Sequence, residues 1–140
     1  MYKSCAKCGR IHDINYVCYK REKKEETVAN KFRKTNAWKL KSQYIRERDK
    51  YLCRCCLADI YNTIHVYNFN KLEVHHIVPL EEDYAKRLDD DNLITLCCYH
   101  HKLADSNKIP RNILIKLTNT ECNLKKIKEE VEENSIPPGL

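Results

Sequence analysis

Apolar positions recur at helical spacing in two stretches of this chain and at strand-like spacing in others. Ala37, Trp38, Leu40, Tyr44 and Ile45 make a roughly one-sided set, which predicts an amphipathic helix capped by Asn36 and ending near Asp49-Lys50. Its other face shows Lys39, Lys41, Arg46 and Arg48. A second, thinner stripe of Leu124, Ile127 and Val131 runs through a charged helix over 121–133. Between them, Ile64, Val66 and Phe69 suggest a strand, with His65 on its other face. A turn follows at 68–70, and Leu72 to Val78 reads as the second strand of a hairpin, stopped by Pro79. A helical turn is expected at Tyr84 to Leu88, a short apolar strand at Leu93 to Leu96, and a helix from about Cys98 or Tyr99. That helix would carry His100, His101, Leu103 and Asp105. Ile113 to Leu117 is another apolar stretch. Residues 19–35 are almost all charged or small, so they read as a linker or an exposed helix with little to pack on a core. Residues 135–140 read as an extended tail.

Composition adds a constraint. Charged residues make up 33% of the 140, and the large core-fillers beyond aliphatics and nine Tyr are two Phe, one Trp and one Met. A core this thin calls for staples. The expected organisation is an N-terminal knuckle at 1–19, a charged linker at 20–35, one catalytic domain at 36–118, and a C-terminal helix and tail at 119–140. Nine cysteines is an odd number, and most sit in local clusters. Neither a signal-peptide pattern nor an apolar run of membrane-spanning length is seen. These features favour a reducing cytoplasm and zinc thiolates over a disulfide framework.

Two clusters have zinc spacing. Cys5-Ala6-Lys7-Cys8-Gly9 forms a thiolate turn, with His12 and Cys18 as natural third and fourth ligands; two unrelated thiol pairs are the alternative. Cys53 and Cys56 share a two-residue gap with Cys97 and His100, and four ligands in two matched knuckles suggest a closed tetrahedral structural zinc. Cys55 is then the extra thiol and Cys122 a plain one. Asp89-Asp90-Asp91 reads as a turn and cap, since three consecutive side chains cannot all face one ion.

Charge is unevenly placed. The net is +6, and residues 20–50 alone hold 12 Lys/Arg against 5 Asp/Glu. Such a segment would draw in phosphate backbones without reading sequence, or simply form a solvated lysine-rich face.

The remaining chemistry lies in Val74-His75-His76-Ile77-Val78-Pro79-Leu80, answered by Asn92-Leu93-Ile94-Thr95-Leu96-Cys97-Cys98-Tyr99-His100-His101. Imidazoles bind transition metals and accept protons near neutral pH, which suits hydrolysis. The order His75-His76, Asn92, His101, together with Arg48-Asp49-x-Tyr51-x-Cys53-x-x-Cys56 and Leu88-Asp89-x-Asp91-Asn92-Leu93, resembles the HNH (His-Asn-His) endonucleases of the phage and mobile-element type. The similarity runs from about Trp38 to Asp105; the N-terminal knuckle and Ile136-Pro137-Pro138-Gly139 also resemble features of phage members. His100 departs from the pattern, standing where many members have a second cysteine.

The resemblance implies an α+β fold: a ββα-metal finger in a zinc-stapled, treble-clef-like scaffold with flanking helices. It implies phosphodiester hydrolysis on DNA, with His76 as general base. His75 and His101 would hold one divalent ion (Mg, Mn, Ni, Co or Zn), and Asp105, which lies one helical turn after His101 and projects to the same face, would be a third ligand. Asn92 would tie its loop and orient His76. Lys39, Lys41, Arg46 and Arg48 would contact DNA, and phage packaging (terminase) proteins are possible partners. The competing reading is a non-catalytic, zinc-stapled DNA-binding or packaging accessory module. One geometric requirement is open: on an ideal strand His75 and His76 point to opposite sides, so the strand must end or curl there.

Overall fold

A computed structural model describes residues 1–19 and 24–135; linker positions 20–23 and the tail from Ile136 onward lie outside the described residues. The elements in chain order are β1 (Tyr2–Ser4), β2 (Ile11–Asp13), α1 (Val28–Arg33), α2 (Asn36–Arg48), α3 (Arg54–Leu57), β3 (Leu72–His76), β4 (Leu93–Cys97), α4 (Cys98–Asp105), α5 (Arg111–Thr118) and α6 (Leu124–Asn134). Two single-turn 3-10 helices, Tyr84–Lys86 and Asp90–Asn92, lie between β3 and β4. The mixture of helices and small antiparallel sheets is the expected α+β class.

The central hairpin pairs different strands from those read off the sequence. β3 runs antiparallel to β4, from Leu72 opposite Cys97 to His76 opposite Leu93. The expected partner around Ile64 to Phe69 forms no strand. Ile64, Tyr67 and Phe69 are 87%, 71% and 68% exposed, and Asp59, Tyr61, Asn62 and Lys71 all sit at φ of 51–59°. Left-handed residues break an extended run, whereas β4 offers five consecutive buried positions.

Both faces of β4 are covered, which explains its unbroken apolar run. Ile94 and Leu96 join Ile113, Leu114 and Leu117 of α5 and Ile127 of α6 in the main core. Leu93, on the opposite face, packs with Val74 and with Ile45 of α2. Burying a Leu or Ile side chain of this kind stabilises by about 1.5–3 kcal/mol.

Three local readings need correcting. The cap of α2 is Thr35, whose hydroxyl accepts the Trp38 N–H at 3.2 Å, so Asn36 is the first helical residue. The stretch before it does pack: α1 is capped by Thr27, and it buries Ala29 and Phe32 against Leu80, Trp38 and Leu88. Arg48 does not face outward as a DNA contact. It forks onto Asp49 at 2.8 and 3.0 Å and donates to the carbonyls of Asp90 and Leu93, both at 2.8 Å. Asp49 is fully buried and accepts the Thr95 N–H at 2.9 Å. This pair ties the end of α2 to β4, because a buried carboxylate needs a partner for its charge.

Other details follow the sequence. Asp89 caps the second 3-10 turn by accepting the Asp91 N–H at 3.1 Å. His65 is exposed, and Cys55 is buried in the core apart from any ligand cluster.

Candidate active site

Helix α4 carries His100 and His101 in succession, so they project about 100° apart around its axis. His100 turns inward to Cys53, Cys56 and Cys97, with its Nδ1 3.5, 3.4 and 3.3 Å from the three sulfurs. All four residues are buried. The Nε2 of His100 lies 3.1 Å from the Ile60 carbonyl, which accepts its proton and leaves Nδ1 as the ligating atom. The hydrogen bond from Cys53 is the main cause that holds the Cys56 thiol down to about 4, the thiolate form that a metal needs. This is a closed set of four donors.

The N-terminal cluster brings Cys5, Cys8, His12 and Cys18 together at the surface. Cys8 Sγ is 2.9 Å from His12 Nε2. The Cys8 backbone N–H is the main cause of lowering the Cys5 thiol to about 7. Gly9 takes φ of 73°, which closes the turn where a side chain would be strained.

His101 turns the other way, toward β3. There it meets His75 with ring centroids 5.0 Å apart. Asp105 reaches both: one carboxylate oxygen is 3.5 Å from His75 Nδ1 and the other 3.5 Å from His101 Nδ1. The three donor atoms lie within 4.8 Å of one another, and the set is open, with the Asp105 side chain 58% exposed. Two imidazoles and a carboxylate at this separation fit one divalent transition ion. Burial is the first cause that lowers the His75 pKa, to about 4, followed by the charge of His101; His75 is therefore neutral and able to ligate.

His76 occupies the opposite face of the strand end. Its ring stacks on Trp38 at 4.7 Å and 25°, and meets the edge of Phe32 at 6.1 Å. Its Nε2 lies 3.1 Å from the Arg87 carbonyl, which accepts the proton there and leaves Nδ1 as the base. Burial holds the pKa below the ordinary value of 6.5, with Arg33 pushing the same way and the Arg87 carbonyl opposing. The geometric requirement on adjacent histidines is met without a kink. The strand ends at His76, and both imidazoles line one groove at that end. The groove holds about 500 Å³.

Asn92 does not touch His76. Its Oδ1 accepts the Val78 N–H at 2.7 Å, and its Nδ2 donates to the carbonyls of Val78 and Lys86, both at 3.2 Å. With the Asn92 carbonyl accepting the Ile77 N–H at 2.9 Å, this one residue closes the loop that brings the Arg87 carbonyl onto His76.

Of the expected phosphate contacts, Arg46 lines the groove and Lys39 is exposed. Lys41 is paired to Asp90 at 2.7 Å. Sequence reading missed Arg33 of α1 and Arg111 of α5, which also line the groove, and Glu73, whose Oε2 is 2.9 Å from His101 Nδ1. Glu73 was findable, because strand period places it on the His75 side. Arg33 and Arg111 carry no such signal.

Residues 53–106 match the family model of the HNH endonuclease. This segment is an HNH domain. The match spans the closed cluster, β3, Asn92, β4 and α4, and so contains every donor of both buried and open sets. No curated protein and no solved structure matches the chain. Among the described residues no helix is long and apolar enough to cross a membrane. The HNH domain makes nuclease chemistry the activity to test.

Proposed function

We propose that this chain is a metal-dependent endonuclease that hydrolyses DNA phosphodiester bonds. The observation that carries the proposal is the convergence on one groove of a neutral, backbone-held imidazole, His76, and a three-donor cluster, His75, His101 and Asp105. A divalent ion held by that cluster would supply positive charge to the scissile phosphate and the leaving 3′ oxygen. His76 accepts the proton of the attacking water at Nδ1, while Arg87 holds Nε2 and Trp38 keeps the ring plane fixed. Asn92 positions the loop behind them. Arg33 and Arg46 present charge to the backbone beside the cut, and their attraction is blind to sequence. The closed Cys53–Cys56–Cys97–His100 set and the N-terminal set are zinc sites with structural roles.

The test is supercoiled-plasmid nicking by protein stripped of loosely held ions, with Mg, Mn, Ni or Zn added back singly. At least one ion should restore cleavage. His76→Ala should lower it by about 10²–10⁴-fold while leaving DNA binding and zinc content intact. Cleavage surviving in His76→Ala would end the general-base assignment; silence with every ion would favour a DNA-binding module.

A further inference from the structure

We propose that Arg111 is a phosphate contact of the groove, covered by Glu82 until DNA arrives, so that a carboxylate and a backbone phosphate compete for one guanidinium. The inference rests on the endonuclease reading above and adds a substrate contact to it.

Three arginines line the groove: Arg33, Arg46 and Arg111. Among the described residues, Arg33 and Arg46 form no ion pair, whereas Arg111 is paired with Glu82. Its Nη1 and Nη2 donate to the two carboxylate oxygens of Glu82 at 3.0 and 2.7 Å. A guanidinium makes the same two-pronged contact with two oxygens of a phosphate group. The Glu82 carboxylate therefore stands where a phosphate would. The Arg111 hydrogen bonds are the main cause that holds its pKa below the ordinary value, so it stays ionised.

The pair bridges two separate segments of the groove wall. Arg111 opens α5, while Glu82 directly follows Pro79, Leu80 and Glu81, all of which line the groove. Both side chains meet solvent, Arg111 being 41% and Glu82 55% exposed. An exposed pair of this kind shifts an equilibrium by a factor of about two to five. Duplex DNA carries one charge per about 1.7 Å of its axis and releases a counterion at each contact, a gain of about fifteenfold per phosphate at 0.05 M salt. The balance therefore tips from Glu82 to phosphate once a duplex lies along the groove.

The experiment is fluorescence anisotropy of a short mixed-sequence DNA duplex titrated with the zinc-loaded full chain, in about 0.05 M salt with no further divalent ion added. Wild type is compared with Glu82→Gln and with the double change Arg111→Ala/Glu82→Gln, which keeps the net charge of wild type. Thermal melts check folding, and Arg111→Gln replaces Arg111→Ala if the alanine loosens α5. Competition predicts an order. Glu82→Gln should bind about two- to fivefold tighter than wild type. The double variant should bind about fifteenfold more weakly than Glu82→Gln, which puts it below wild type, and that gap should close as salt rises. Equal affinity of the double variant and wild type would show a pair that stays shut on DNA. Glu82→Gln no tighter than wild type would show that the carboxylate does not compete. Either result overturns the proposal and leaves the endonuclease reading standing. Wild type that binds no duplex would end the DNA reading itself, and this proposal with it.

Discussion

The two donor clusters that flank α4 share histidine but differ in their other donors and in what surrounds them. The Cys53–Cys56–Cys97–His100 set is buried throughout, with all four positions filled by protein and His100 fixed from behind by the Ile60 carbonyl. The His75–His101–Asp105 set lies in a groove, with Asp105 mostly exposed and room for further ligands. A filled, buried tetrahedron can hold a fold together but offers nothing a place to react, while an open set can take water or phosphate. One helix of eight residues serves both because consecutive side chains leave it in different directions. The thiolate-rich set is shut in and the imidazole–carboxylate set is left open, so burial and the kind of ligand change together.

The largest effect should come from opening the closed set. Structural zinc contributes about 10–16 kcal/mol of apparent binding free energy, comparable to or above the 5–15 kcal/mol stability of a typical domain. Cys56→Ser should therefore abolish the cooperative thermal transition and release zinc; a melt within a few degrees of wild type would put the two clusters on equal terms. His75→Ala, by contrast, should keep the fold and bound zinc yet lose metal-dependent plasmid nicking. If it unfolded the protein instead, the open cluster would be structural too.

A middle effect is expected at Asn92. Alanine there removes three hydrogen bonds at about 1 kcal/mol each and leaves the Val78 N–H without its acceptor. The melting temperature should fall by several degrees, and nicking should fall with it as Arg87 leaves His76. Smallest is Lys39→Ala, an exposed residue on α2. It should weaken DNA binding evenly across sequences and flatten the salt dependence by about one charge, with no change in melting temperature. Arg48→Ala should do the reverse, lowering stability because its guanidinium is held inside the fold.

Much of this contrast was legible in the chain. Matched two-residue gaps brought Cys53, Cys56, Cys97 and His100 to one cluster, and the i,i+4 step placed Asp105 beside His101. Both are local rules, in which spacing alone determines direction. The misreadings are non-local or depend on a neighbour's shape. Ile64 to Phe69 looks like a strand until its left-handed flanks are seen. Phe32 stands in a charged stretch and gives no hint that it will meet Leu80 and His76. Trp38 belongs to the apolar set of α2 and packs against the core, yet one face of its ring is also the wall on which His76 stacks. Arg48 looks like its basic neighbours, and only the buried Asp49 beside it reverses its role.

The knot tied by Asn92 has a consequence for how this chain can vary. Because one side chain fastens Val78 to Lys86, the residues from Pro79 to Ala85 form a pendant whose two ends are already joined. Lengthening a loop with fixed ends costs only about 0.6 kcal/mol per doubling. Glu81 and Glu82 are exposed, so foreign residues grafted between them would hang over the groove while His76, Arg87 and the donor cluster kept their places. What the groove reaches could then be altered by changing the pendant, with His76 and the donor cluster inherited whole.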